Sequence, residues 1–440
     1  MVKGDILTLK YKSLGPLKGG DNHHQTGEQW EILEKNGEPV ESTSALHAID
    51  KGLGKRIAGL VNRMDNGIAL RTNTRLHELY NTDPLNPTYT ATGSKHGRLV
   101  NLGMGDSQLE AVIRMLAGDA NSIFGGFIGF NHPLDVETAE YINRMFLEGI
   151  ICPTGIPDDA VEILTNTDTL VSPWNIPAHA RRLIYEIPRF TTAQLNALGF
   201  DMYQTGTDLV TQQPDGRYDV FQGTLVVGNE HRINPELMRS MQLGWDAITL
   251  INSNTMLMAL EKSLLAIGNS QGNRYAVSRN MRQNLEETPY FNLGNAEGME
   301  RALYDVPFEP EDFEGVISVK DLDASAVISD AFMPKPDALI EATGIDRVHP
   351  DFAGGRVVGY EGENIILKRV NYRPDNELYR QRAVPRMVVQ PGGCMGDPAA
   401  TYLSEKYGIP MWFNMPKENW NPVTHKGKAG HRGFSHKWGN

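Results

Sequence analysis

Cysteine is nearly absent, with Cys152 and Cys394 the two in 440 residues. They are too few and too far apart for a disulfide framework or a thiolate metal cage, and read as reduced thiols of a cytoplasmic protein. Also missing is any long unbroken apolar run, so no membrane span is expected. Residues 1–17 scatter lysines without an apolar core, unlike a signal or transit peptide. A basic excess is lacking too: 42 Lys and Arg against 54 Asp and Glu give a net charge of −12, which argues against a general nucleic-acid binder. A small anionic substrate stays compatible, because a local basic pocket can sit on an acidic protein. No Walker-type phosphate loop occurs.

What is present is an ordinary globular composition, 40% hydrophobic and 22% charged, long enough for two or three cores. Leu109, Val112, Ile113 and Leu116 follow helical spacing and predict an amphipathic helix over 106–117. A glycine-broken apolar run follows at 121–131, then a helix over 135–146, a strand at 149–152 and a helix over 158–164. Residues 28–87 mix short helical patterns with polar breaks and yield no chemistry, and prolines in 173–188 interrupt the rhythm. The second half repeats it, with a strand-like 218–227, a helix over 235–247, an apolar stretch to 259, a strand and helix in 326–342, and a strand–helix–strand run from 387 to 413. Such alternation predicts an α/β layer structure with buried strands. The acidic, Gly- and Pro-broken segment 283–315 reads as an inserted connection.

Polar clusters punctuate this pattern. Lys95-His96 sets a proton acceptor beside a fixed cation, a pairing that can serve one reacting centre; taken alone it is equally a solvated loop. Lys18-Gly19-Gly20-Asp21-Asn22-His23-His24-Gln25 combines a permissive backbone with a cation for an anion, or is a hydrated turn. The loop from Gly268 to Arg274 opens a helix carrying Arg279, and a helix N-terminus with an arginine suits an anion. The alternative there is a capped helix with solvent arginines.

Taken in order, these clusters resemble the transformylase part of the bifunctional purine-synthesis family that formylates aminoimidazole carboxamide ribonucleotide (AICAR). Lys18 to Gln25 is similar to the family's Arg-Tyr-Gly-x-Asn-Pro-His-Gln, and Lys95-His96 stands where its catalytic Lys-His pair stands. The run from Ser122 to Asp135 resembles Ser-x-Phe-Gly-Gly followed by Asn-x-Pro-x-Asp. Ser253-Asn254, the Gly268 to Arg274 loop, Ser329-Asp330-Ala331-Phe332-x-Pro, Gln390-Pro391-Gly392-Gly393 and Arg432-x-Phe434-x-His436 complete the series. The match covers nearly the whole chain, and its order is far more specific than any single motif.

The resemblance implies two related cytidine-deaminase-like three-layer α/β/α units, over 1–200 and 201–440, and a homodimer with active sites at the subunit interface. It implies formyl transfer from 10-formyltetrahydrofolate, a reduced-folate co-substrate, to the amine of AICAR, without the ring-closing cyclohydrolase domain, for which too little chain precedes Lys18. By the same resemblance His96 is the base, its imidazole of a type that titrates near neutrality. Lys95 stabilises the oxyanion or the departing folate nitrogen, Asn254 and Arg274 hold the carboxamide, and His436 supports His96. Lys18 and Arg432 neutralise the phosphate. Gly19, Gly125, Glu148 and Phe332 fall at other substrate contacts, and Tyr275, Asp337, Cys394 and Met395 at folate contacts. No metal is expected, because the His-x-Glu and Pro-Cys-x-x-Cys ligand pattern of zinc deaminases is missing.

This chain also departs from the family. Lys18 replaces an arginine, which keeps the charge but loses the bidentate fork, and Gly19 replaces a tyrosine. Gly97-Arg98-Leu99-Val100 replaces a proline and small-residue loop, Lys335 an aromatic, and Cys394 a serine, and residues 417–428 are extra. The changes cluster on the donor side. The alternatives are therefore the same acceptor with another donor, such as formate activated by ATP, a different purine precursor as acceptor, or a non-catalytic nucleotide-binding relative. Retention of Lys95, His96, Asn254 and His436 together speaks against the last.

Overall fold

Short runs rich in Val, Ile and Leu are buried along nearly their whole length at Gly149–Pro153, Leu183–Ile187, Ala326–Ser329 and Met387–Gln390. That is how parallel strands look between two helix layers. The computed structural model describes the chain apart from residues 1–4, 21, 23, 44–48, 51–57, 167–169, 172–175, 178–181, 215–218, 334–335, 350, 352–355, 362–363, 369–383, 393–396, 425 and 428–440.

Two six-stranded sheets carry the architecture. The first uses β1 (Ile49–Asp50), β2 (Tyr89–Lys95), β3 (Arg98–Gly105), β4 (Phe127–Phe130), β5 (Gly149–Pro153) and β6 (Leu183–Ile187) in the order β1-β6-β5-β4-β2-β3. The second uses β7 (Thr224–Val227), β8 (Met256–Ala259), β9 (Leu264–Gly268), β10 (Ala326–Ser329), β11 (Met387–Gln390) and β12 (Met411–Phe413) in the order β7-β12-β11-β10-β8-β9. Adding six to each strand of the first order gives the second. The senses also match: three central strands are parallel, and an antiparallel strand or hairpin lies on either side of them. The expected α/β layering is what the chain forms.

Helices sit at matching places. In the first half α1 (Leu60–Tyr80) precedes β2, α2 (Gln108–Ile123) follows β3, and α3 (Val136–Asn143) and α4 (Asp158–Thr165) flank β5. In the second, α5 (Pro235–Ile248) precedes β8, α6 (Arg274–Glu286) follows β9, two short helices α7 (Pro289–Asn292) and α8 (Ala296–Ala302) come next, and α9 (Pro336–Thr343) and α10 (Asp397–Tyr407) flank β11. Alternate strand residues divide between the layers: Phe127, Ile151 and Tyr185 pack with Ala69 of α1, while Ile128, Ile150 and Ile184 join the core under α2, α3 and α4.

The two sheets meet edge to edge. Gly103 of β3 and Ser263 form an antiparallel bridge, and the Met104 N–H donates to the Lys262 carbonyl at 2.7 Å. Gly118 of α2 lies over this junction; a Cβ there would stand 2.3 Å from the Leu264 carbonyl oxygen and 1.8 Å from Asn101 Nδ2. Because the strands run antiparallel, moving back along β3 toward Arg98 goes the same way as moving forward along β9 toward Gly268. The two loops beyond those strands therefore lie at one end of the joined sheets.

Three stretches differ from what hydropathy suggests. Residues 60–80 form one long helix instead of short patterns, because its buried face is largely polar: Asn62, Asp65, Asn66, Thr72, Asn73 and Thr74. The proline-interrupted region conceals β6, a fully buried central strand. Segment 283–315 holds the end of α6 together with α7 and α8, with Tyr290, Phe291 and Met299 buried. It packs against the first half through Asn121, whose side chain bonds the Arg301 carbonyl at 3.2 Å and the Asp305 N–H at 3.0 Å.

Candidate active site

Lys95 and His96 stand in a tight hairpin, not an open loop. Lys95 pairs with Arg98, leaving His96 and Gly97 as a two-residue turn with φ of 55° and 70°. Turns with both central residues at positive φ match the twist of antiparallel strands. A Cβ on Gly97 would meet Met64 Cε at 2.6 Å, a contact that this exposed, flexible side chain can relieve by moving, so the second position favours glycine for its conformation.

The turn is bolted to α1. Asp65 Oδ1 accepts the Gly97 N–H at 2.6 Å, and Ser94 Oγ donates to the Asp65 carbonyl at 2.8 Å. Burial pushes the Asp65 carboxyl above the usual carboxylate range, with the Gly97 and His96 N–H groups and the His96 ring opposing it. The half-buried Lys95 ammonium donates to the Phe124 carbonyl at 2.6 Å. It also faces Asp119, at the break in α2, whose carboxyl is likewise raised, chiefly by burial. His96 is exposed. The geometry fixes the backbone of both groups and leaves the imidazole free to meet a substrate.

Four further predicted residues gather at the same helix end. Asn62 in the first turn of α1 donates to Glu148 Oε2 at 2.6 Å, and the Glu148 N–H donates to the Gly126 carbonyl at 2.9 Å. Gly125, next to the carbonyl that holds Lys95, donates to Phe146 at 2.8 Å. The Gly19 carbonyl accepts from Leu60 and the Lys18 N–H donates to Ala58, both at 3.2 Å, so the Lys18 side chain is exposed beside the start of α1.

A second group forms at the mouth of the second sheet, around the C-terminal end of β10. Arg274, 6% exposed, is ion-paired to Asp330, and it donates to the Thr255 carbonyl at 2.8 Å and to Asn254 Oδ1 at 2.7 Å. Asn254 Nδ2 donates to the Gln271 carbonyl at 2.7 Å, and Ser253 Oγ donates to Asp330. Asn273 caps α6 through the Ala276 N–H at 2.8 Å, while Arg279 is exposed. Arg274 thus spends its fork within the protein and sets the orientation of Asn254. Tyr275 donates to Glu341 Oε2 on α9 at 3.2 Å, Asp337 accepts the Ala338 N–H at 2.8 Å, and Phe332 is half-buried just beyond Asp330. The Met333 N–H donates to Gln390 Oε1 at 2.8 Å, tying this segment to β11.

Antiparallel joining of β3 and β9 puts both groups at the same end of the molecule. Among the described residues no hydrogen bond or ion pair connects Lys95 or His96 with Asn254 or Arg274 within one chain. Cys394, Met395, Arg432 and His436 lie outside the described residues. Among the described residues no group of three or more His, Cys, Asp or Glu is placed to hold a metal ion, and no helix is long and apolar enough to cross a membrane.

A model of the AICARFT/IMPCHase bienzyme family matches residues 2–283. The chain belongs to that family. Among relatives, each called bifunctional purine biosynthesis protein PurH, that of Chlorobium phaeobacteroides is 25% identical over 336 residues, covering 76% of this chain and 53% of its own length. That of Bacillus cereus is 22% identical over 410 residues, 93% of this chain and 60% of the relative. In Caldicellulosiruptor saccharolyticus the identity is 25% over 284 residues, 62% of this chain and 48% of the relative. The chain thus spans about half to three fifths of the length of the PurH proteins it matches.

Within this family member, the residues that sequence reasoning missed are the anchors. Asn62 and Asp65 fall in the helix whose polar buried face hid it, and Asp119 lies in a helix kink that hydropathy does not mark. Asn62, Asp65, Asn66, Ala69 and Asn73 follow helical spacing, and small polar residues at that period were the available signal.

Proposed function

We propose that this chain is an AICAR transformylase, transferring a formyl group from 10-formyltetrahydrofolate to the 5-amino group of AICAR in purine biosynthesis, in the cytoplasm. What carries the reading is the Lys95-His96 hairpin, clamped by Asp65 and the Phe124 carbonyl at the end of the joined sheets where Asn254 is held. Family membership and the names of the PurH relatives support it.

In the proposed reaction the amine nitrogen attacks the formyl carbon and His96 takes the proton released on attack. Lys95 stabilises the tetrahedral oxyanion or the departing folate nitrogen, which leaves with the electron pair and a proton. Asn254, oriented by Arg274, holds the carboxamide so that the amine faces the formyl carbon. Lys18 and Arg432 meet the phosphate, Gly19, Gly125, Glu148 and Phe332 complete the acceptor site, Tyr275, Asp337, Cys394 and Met395 bind the folate, and His436 supports His96. The matching strand orders support two cytidine-deaminase-like units over 1–200 and 201–440, and the proposed assembly is a homodimer with active sites at the subunit interface.

The test is a transfer assay on AICAR with 10-formyltetrahydrofolate, or with formate and ATP, read by product mass. A product carrying one formyl in place of one hydrogen, with the folate donor only, is the expected result. Product with formate and ATP alone would replace the donor, and no product with either would remove the assignment.

A further inference from the structure

The hairpin that carries Lys95 and His96 presents a second cation, Arg98, which the proposed reaction does not use. Lys95 and Arg98 are directly opposite each other across the ladder, the last pair before the His96-Gly97 turn. Directly paired side chains share one face of a sheet, with Cβ atoms roughly 5 Å apart. The neighbouring pair, Ser94 with Leu99, points the other way and is buried. Ser94 donates to the Asp65 carbonyl on α1, and Leu99 packs in the core with Leu76 of the same helix. Lys95 and Arg98 therefore look toward the layer of α2, where Lys95 meets the Phe124 carbonyl at 2.6 Å.

Like charges directly opposite each other on two strands are unfavourable, and here only one of the two is compensated. Lys95 has its ammonium on a carbonyl and faces the buried Asp119. Arg98 is exposed and, among the described residues, its side chain makes no ion pair or hydrogen bond. Asp65 holds the turn from the α1 side, where its carboxylate accepts the Gly97 N–H at 2.6 Å. A guanidinium left uncompensated opposite another cation suits an anion that arrives with a substrate.

The layers indicate which anion. In the proposed reaction the acceptor's phosphate falls to Lys18 and Arg432, and Lys18 lies beside the start of α1, across the sheet from the face of Arg98. Lys95, which shares that face, serves the oxyanion or the departing folate nitrogen. Beyond that nitrogen a reduced folate carries a benzoyl group and then a glutamate, whose carboxylates are its full negative charges at neutral pH. A guanidinium fork matches a carboxylate with two parallel hydrogen bonds.

We propose that Arg98 receives the glutamyl carboxylate of the formyl donor and so selects a donor with an anionic tail. This rests on the proposed reaction and names the part of the donor that the hairpin reads.

Steady-state transfer to AICAR from two donors tests it, 10-formyltetrahydrofolate and 10-formyltetrahydropteroate, which lacks the glutamate. In the wild-type chain the pteroate donor is expected to show a KM about tenfold higher, the loss of one charge-assisted contact. Arg98→Gln is expected to raise KM for the folate donor by the same factor, with the pteroate donor, kcat and the KM for AICAR held within about twofold. Arg98→Lys keeps the charge without the fork and is expected to recover part of the preference. The unfolding midpoint of Arg98→Gln should hold or rise, because a like charge opposite Lys95 is gone. Equal KM for the two donors in the wild-type chain, an equal change for both in Arg98→Gln, a rise in KM for AICAR alone, or no change at all overturns the proposal and leaves the transformylase reading in place. No transfer from either donor by the wild-type chain overturns both.

Discussion

His96 occupies a left-handed backbone position, which dictates how its chemistry can be isolated. Asparagine tolerates positive φ better than most side chains, so His96→Asn keeps the hairpin while removing the proposed base. Formyl transfer is expected to fall by about 10²–10⁴ with the thermal midpoint unmoved; a parallel loss of both in a melting experiment would assign the imidazole a structural role. Asp65 gives the complementary case. Asp65→Ala strands the Gly97 N–H and is expected to cost about 1–3 kcal/mol in urea unfolding, whereas Asp65→Asn keeps an acceptor without a buried charge and should cost much less. Lys95 and His96 stand out in the sequence because they are adjacent and lie in a series of ordered motifs. Asp65 does not, since nothing in a one-dimensional pattern says that a helix thirty positions upstream faces that turn.

Elements were legible in proportion to how apolar their buried faces are. Helix α2, with Val112, Ile113 and Leu116 buried, announced itself, whereas α1 buries amides and hydroxyls that hydrogen-bond inside the fold, such as Asn73 with Thr92 and Thr90. Strand β6 escaped because the prolines around it read as punctuation. Strand β3 escaped because Lys95-His96, in sequence, is equally a solvated loop, whereas it is the turn of a hairpin. The pairing of the two sheets had no local signature at all. Gly118 tests that junction: Gly118→Ala drives a methyl into the Leu264 carbonyl and the Asn101 amide, and is expected to cost about 1–3 kcal/mol by overpacking. Faster hydrogen exchange at the Met104 amide, against unchanged exchange in α5, would locate the damage at the junction.

For the molecule as a whole, buried acids set how stability varies with pH. Asp346 is raised to about 6, first by burial and then by Glu341, and its Oδ1 has no hydrogen-bond partner among the described residues. Its folded value exceeds the ordinary ~3.9, so its contribution is complete below that value and is lost as pH climbs through about 6. Asp346→Asn should flatten this slope and leave the protein roughly 2 kcal/mol more stable at neutral pH, measured by urea unfolding across pH 4 to 8. Asp312 acts oppositely: burial works against its charge, but the paired bonds from Arg144, at 2.6 and 2.8 Å, outweigh it and hold the carboxyl low. That support is lost only as pH falls below the ordinary range.

The edge-to-edge bridge at Gly103 and Ser263 also limits how the gene can drift. One codon added or removed within β3 or β9 would turn alternate side chains inside out and pull the hairpin out of step with the loop before Arg274. Length changes should therefore accumulate beyond β1 and β7, at the far margins of the sheets, and be purged between them.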